Sequence, residues 1–127
     1  MSHEPVVAIV GVTGAVGAEF IATMDRRDFR VGKLKALASA RSAGRTIDFR
    51  GQKIAIEELT PDSFHGVDIA LFSAGGSISK KYAPIAVKSG AVVVDNSSAF
   101  RMDPDVPLVI PEINAHRIRD HMGIIAN

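Results

Sequence analysis

The chain is 127 residues long, 46% hydrophobic and 23% charged, the balance of an ordinary globular domain. Fifteen basic against fourteen acidic residues leave a formal net charge of +1, which excludes the strongly basic footprint of a nucleic-acid or acidic-membrane binder, and no apolar run approaches the roughly 18 residues of a membrane span. Cysteine is absent, so these residues offer no disulfide, thiolate metal site or cysteine nucleophile, and with no basic lead into a signal-peptide core the expected compartment is the cytoplasm.

Val6–Val10 is a continuous apolar run and reads as a buried strand. It breaks into Gly11-Val12-Thr13-Gly14-Ala15-Val16-Gly17, three glycines spaced by threes. A helix follows over 15–27, with Val16, Phe20, Ile21 and Met24 on one face. Strand, glycine triplet and helix together are the geometry of a nucleotide-binding βα turn. Gly11 lets the strand turn, Gly14 lets a pyrophosphate approach the backbone, and Gly17 lets the helix pack close to the sheet. The helix N-terminus aims free N–H groups and its positive dipole end at the phosphates. The competing reading is a close-packed βα turn without a ligand.

Further along, 34–38 is a second strand and 39–44 a small, polar, basic loop. Two short alternating runs around Arg50-Gly51-Gln52 predict a hairpin over 46–56. A strand over 67–73 and a helix over 78–89 come next, the helix burying Tyr82, Ile85 and Ala86 and leaving Lys80, Lys81 and Lys88 in solvent. Strands are expected at 91–94 and 108–110, Asn114 is expected to cap a short helix, and 123–127 begins another strand. Strands alternating with helical segments imply right-handed crossovers: a Rossmann-type doubly wound, mostly parallel sheet with helices on both faces, here one domain over 1–127.

Ligands on such sheets sit beyond the carboxyl ends of the strands, which selects four loops: 11–17, 39–44, 73–77 and 95–101. The second bears on the cofactor. Ser39-Ala40-Arg41-Ser42 carries no carboxylate, and the next one is Asp48. A carboxylate there would repel a ribose 2′-phosphate, whereas a guanidinium pairs with it in bidentate fashion, so the loop favours NADP; alternatively Arg41 and Arg45 are solvated loop charges. In the third, Gly75 and Gly76 permit close approach to a ribose or nicotinamide and Ser77 is a candidate helix cap, or the segment is an ordinary tight turn. In the fourth, Asn96, Ser97, Ser98 and Arg101 suit an oxyanion, or form an Asx-type turn beside an exposed arginine.

GVTGAVG (11–17), SARSAG (39–44), LFSAGGS (71–77), VDNSSAFRMD (94–103) and PLVIPEIN (107–114) run in order through essentially the whole chain. Together they resemble aspartate-semialdehyde dehydrogenase. The resemblance implies reversible, NADP-dependent reductive dephosphorylation of L-aspartyl 4-phosphate to L-aspartate 4-semialdehyde and phosphate, on the route to lysine, threonine, methionine and diaminopimelate. It implies that Thr13, Gly14, Ala15 and Val16 hold the pyrophosphate, that Arg41 and Ser42 bind the 2′-phosphate, and that Ser73 and Gly75 lie along the ribose and nicotinamide. Arg101, helped by Asn96, would bind the substrate's phosphate, a cation where acyl transfer requires one.

Family members carry a nucleophilic cysteine shortly after the segment resembling 123–127, where this chain ends, and their acid/base histidine and substrate-carboxylate arginine lie later still. None of His3, His65, His116 and His121 matches that histidine's motif, and His116 and His121, five apart, lack metal spacing. No catalytic or metal residue is therefore assigned. The expectation is an N-terminal piece, inactive alone, that pairs with a missing C-terminal segment carrying the catalytic and dimerisation domain, and forms a homodimer when complete. A short-chain reductase is excluded because the sole tyrosine, Tyr82, is followed four positions later by Ala86 rather than lysine. The N-acetylglutamyl-phosphate reductase family and a non-catalytic NADP-binding module remain as alternatives.

Overall fold

The computed structural model describes residues 4–127 and shows a single seven-stranded sheet. The strands are β1 (Val6–Val10), β2 (Lys33–Ala38), β3 (Thr46–Phe49), β4 (Gln52–Glu58), β5 (Ile69–Phe72), β6 (Val92–Asp95) and β7 (Ile124–Ala126), in the spatial order β3-β4-β2-β1-β5-β6-β7. All neighbours are parallel except the β3–β4 hairpin. Its turn residues Arg50 and Gly51 both take positive φ, 50° and 79°, the twist that a two-residue hairpin loop demands.

Two helices cover opposite faces, α1 (Ala15–Arg26) and α2 (Gly76–Lys88). The central strand β1 shows why both faces close. Val7 and Ile9 pack with Val12 and Met24 on the α1 side, while Ala8 and Val10 pack with Tyr82, Ala83 and Ala86 on the α2 side. A strand buried on both faces has no polar alternation to keep, hence its uniform apolar run. Phe64 and Phe72 stack in the second cluster with ring centroids 5.9 Å apart. The hairpin turn also closes α1. Arg50 donates from Nη2 to the carbonyls of Met24 and Phe29 at 3.1 and 2.6 Å and from Nε to Asp25 at 3.0 Å, satisfying acceptors at the helix end.

The chain runs outward from β1 through β2 to β4, then returns to β5 and runs outward the other way. The order therefore reverses between β1 and β5, and the loops that follow these two strands diverge to opposite faces and leave a crevice.

Three expectations are corrected. Residues 108–110 make only an isolated bridge, Leu108 to Ala126, because Pro107 and Pro111 bound a three-residue stretch and the Asn114 side chain takes its outward groups. Asn114 ends α3 (Pro111–Asn114), whose start is set by Pro111, and stands as expected at the N-cap position of a short 3-10 helix (Ala115–Asp120), but its side chain makes no capping bond: its amide folds back, accepting from Ile110 N–H at 2.7 Å and donating to Leu108 O at 2.9 Å. Val16 is 41% exposed, since the first turn of α1 overhangs the strand ends and has no sheet beneath it.

Candidate functional site

At the reversal lies a cleft of about 520 Å³, within the usual range for a small-molecule site. Its walls come from the carboxyl ends of four strands and from α2: Gly11, Thr13 and Gly14 after β1, Ala38 and Ser39 at the end of β2, Leu59 after β4, Ser73 and Ala74 after β5, and Ile78 and Tyr82 on the helix.

The glycine loop is fixed from both sides. Gly11 and Val12 donate their N–H groups to Leu37 O at 3.0 and 3.3 Å. Ser73 donates its N–H to Val10 O at 2.9 Å and its hydroxyl to Val10 O and Gly11 O at 3.2 and 3.4 Å. Ser73 thus lines the cleft and locks the loop at once. Gly11 has φ +88°, and a Cβ there would lie 3.0 Å from the backbone of Ser73 and Ala74. A Cβ on Gly17 would sit 2.5 Å from Gly11 O and 2.8 Å from Val12 Cα. Gly14 differs. Its φ is −81°, and a Cβ would meet nothing nearer than Gly11 O at 3.6 Å. The protein's own packing demands glycine at 11 and 17, while at 14 it leaves space that a Cβ would occupy.

Gly14 is the N-cap of α1 and no side chain caps the helix, so the first-turn N–H groups of Ala15, Val16 and Gly17 face the loop without an intrahelical partner. No acidic residue occupies that turn. Both the dipole and the free donors favour an anion.

Beyond β2 the chain makes a turn, with Ser42 and Ala43 N–H groups donating to Ser39 O. Ser42 is nearly buried beneath it, whereas Arg41 is exposed and, like Arg45, has no ion-pair partner among the described residues. Gly75, at φ +93°, is the N-cap of α2 and accepts Ser79 N–H at 3.1 Å; Ser77 makes no capping bond.

The fourth loop stands on the other side of β5. Asn96 donates its N–H to Phe72 O at 3.0 Å, which anchors the loop to β5. Arg101 donates from Nη2 to Asn96 O at 3.3 Å and from Nε to Asn127 O at 3.2 Å, so Asn96 and Arg101 are brought together at the carboxyl edge. The Asx turn is present as well: Ser97 N–H donates to Asp95 Oδ1 at 3.1 Å.

Leu59, Ile78 and Tyr82 line the cleft although they lie outside the four loops that the sequence selects. Leu59 reaches the cleft because β4 joins the main sheet parallel to β2, with Leu59 N–H donating to Ala38 O at 2.8 Å. No local pattern announces it, since Glu57 and Glu58 break the alternation of Ile54 and Ile56 before Leu59 is reached. Tyr82 was read as a core residue of its helix; it is buried, and it forms part of the cleft wall as well. Among the described residues no group of three His, Asp or Glu side chains is placed to hold a metal ion, and no helix is long and apolar enough to cross a membrane.

Comparison with known proteins agrees with this geometry. Residues 6–121 match the family model described as semialdehyde dehydrogenase, NAD binding domain. The chain is 54% identical over 121 residues to an aspartate-semialdehyde dehydrogenase of Bacillus subtilis, covering 95% of this chain and 35% of that protein. It is 53% identical over 131 residues to the Campylobacter jejuni protein of that name, covering 100% and 38%. A crystal structure of aspartate semialdehyde dehydrogenase II from Vibrio cholerae, complexed with ASA, superposes with a TM-score of 0.93 at 46% identity over 98% of this chain and 42% of that one. The chain thus spans little more than a third of the length of these curated relatives. With its Rossmann-type sheet, its glycine loop at the switch point and a family match over nearly its whole length, the chain belongs to the semialdehyde dehydrogenase NAD-binding domain family.

Proposed function

We propose that this chain is the NADP-binding part of an aspartate-semialdehyde dehydrogenase, which interconverts L-aspartyl 4-phosphate and NADPH with L-aspartate 4-semialdehyde, phosphate and NADP⁺. The observation that carries the reading is Gly14: its missing side chain leaves a cradle at the start of α1 that this chain does not fill. Around it, Thr13, Gly14, Ala15 and Val16 would receive the pyrophosphate on first-turn N–H groups. Arg41, with Ser42 beside it, would hold the 2′-phosphate; its lack of a carboxylate partner leaves its donors available. Ser73 and Gly75 would flank the ribose and nicotinamide. When bound, NADPH supplies the hydride. Asn96 and Arg101 would hold the acyl phosphate or the attacking phosphate by charge and hydrogen bonds.

These residues bind and orient. The chain has no cysteine, so a thioester-forming nucleophile must come from residues outside this sequence. We propose that the remaining catalytic segment, corresponding to the part of the relatives that this chain does not span, packs against this domain.

Calorimetric titration with NADP⁺ and, separately, NAD⁺ tests the cofactor reading. NADP⁺ should bind more tightly, and Arg41→Ala should remove about 2 kcal/mol, roughly thirtyfold, from NADP⁺ alone. Equal affinities insensitive to Arg41→Ala would defeat the NADP assignment, and no binding of either nucleotide would defeat the cofactor role. A chimera with this chain in place of the matching part of the Bacillus subtilis relative should keep phosphate-dependent oxidation of aspartate semialdehyde. A chimera that binds NADP⁺ but does not turn over would favour the non-catalytic module.

A further inference from the structure

Asp95 ends β6, a strand otherwise made of valine, and its side chain is fully buried. Packing alone would be served by another valine, and a carboxyl removed from water is costly unless its oxygens are bonded. Here they are bonded three times. Oδ1 accepts from Ser79 Oγ at 2.7 Å and from Ser97 N–H at 3.1 Å, and Oδ2 accepts from Ser97 Oγ at 2.7 Å. Ser97 Oγ in turn accepts Ala99 N–H at 3.1 Å.

An Asx turn needs only the Ser97 N–H bond. The remaining bonds do something else. The second carboxyl oxygen orients the Ser97 hydroxyl, which holds the backbone two residues further on. Ser79, itself fully buried, ties the carboxyl to α2, the helix whose Ile78 and Tyr82 line the cleft. The segment so held begins at Asn96 and ends at Arg101, the two residues that meet through the Asn96 carbonyl.

We infer that Asp95, acting through Ser97 and braced by Ser79, is the positioning residue that holds Asn96 and Arg101 in one anion-binding arrangement. The inference rests on the reading of those two residues as the phosphate site. Because Asp95 itself is a buried core position, the test uses its partners. Inorganic phosphate is titrated into the chain in the presence of NADP⁺ and followed by the NMR signals of the Arg101 Nε–H and the Asn96 amide, with NADP⁺ affinity measured calorimetrically on the same variants.

Ser97→Ala should weaken phosphate about tenfold while leaving NADP⁺ affinity unchanged, and Ser97→Thr, which keeps the hydroxyl, should restore phosphate binding. Ser79→Ala should act in the same direction. Phosphate affinity unchanged in both alanine variants, or phosphate and NADP⁺ affinities falling in equal proportion, would overturn the inference. If the parent chain binds NADP⁺ but takes up no phosphate, the phosphate reading of Arg101 falls and the positioning role falls with it. That outcome is distinct from a parent that binds phosphate and variants that bind it equally well.

Discussion

The loops after β1 and β6 lie at the same edge of the sheet and are built by opposite means. Residues 11–17 are shaped by missing side chains: Gly11 and Gly17 bring backbone within contact of backbone, and the loop is held by main-chain bonds to Leu37 and Ser73. Residues 95–101 are shaped by side chains, with Asp95, Ser97 and Arg101 each fastening a stretch of main chain. The first arrangement tolerates no added atom at Gly11 or Gly17 and is rigid by packing there. The second tolerates change in volume but depends on each donor and acceptor being met. An anion approached by bare N–H groups suits the first, and one gripped by a guanidinium suits the second.

Gly17→Ala should have the largest effect. Its Cβ would lie 2.5 Å from Gly11 O and 2.8 Å from Val12 Cα and O, all main-chain atoms that cannot step aside. A loss of about 2–4 kcal/mol in denaturant unfolding is expected, with NADP⁺ binding abolished. An unchanged midpoint would mean that α1 can lift from the strand and that the loop is not rigid by packing. Gly14→Ala divides the loop more finely. With only Gly11 O at 3.6 Å and φ at −81°, stability should stay within about 0.5 kcal/mol of the parent, whereas NADP⁺ affinity should fall about tenfold or more. If both quantities fell together, the space at Gly14 would belong to the fold rather than to a ligand.

The same contrast explains what could be read from the sequence. Steric sites leave a local mark, so the strand Val6–Val10, the glycine triplet and α1 were legible within one or two residues, as were the hairpin and the crossover pattern that gives the doubly wound sheet. Hydrogen-bonded sites join residues far apart in sequence. Ser79 and Asp95 are sixteen positions apart and nothing in either segment announces the other. Asn114 does stand at an N-cap position, as asparagine favours, yet its amide bonds backward onto Ile110 and Leu108, four and six residues away, rather than onto the helix that follows. The strand expected at 108–110 shrank to a bridge for the same reason. Leu59 entered the cleft through the pairing of β4 with β2, a long-range register that a hairpin reading does not contain.

On the side-chain-built loop, Arg101→Lys keeps the charge and loses the fork that reaches Asn96 O and Asn127 O together. Both bonds are exposed, so stability should drop by no more than about 0.5–1 kcal/mol while phosphate affinity falls about fivefold. Unaltered phosphate affinity, measured in the same NMR titration, would show that a point charge is enough there and that the geometry of the loop carries no specificity.

The smallest effect concerns neither loop and serves as the control for both. On the outer face of α1, Glu19 accepts from Arg26 Nη2 at 2.8 Å and from Thr23 Oγ1 at 3.4 Å. The Arg26 hydrogen bond, then its charge, hold the Glu19 carboxyl below the ordinary glutamate value. A carboxylate whose pKa is depressed by folding stabilises the protein above the unfolded pKa, and this contribution fades as pH falls through the lowered folded value. The parent should therefore melt slightly higher than Glu19→Gln at neutral pH, and the two should converge in acid. Because the pair is exposed, high salt should shrink the difference at every pH. NADP⁺ affinity should be the same in both proteins. A cofactor affinity that followed the titration of Glu19 would instead show that α1 transmits changes on its outer face to the loop at its start, and the packing that makes residues 11–17 rigid would have to be looser than the contacts at Gly17 imply.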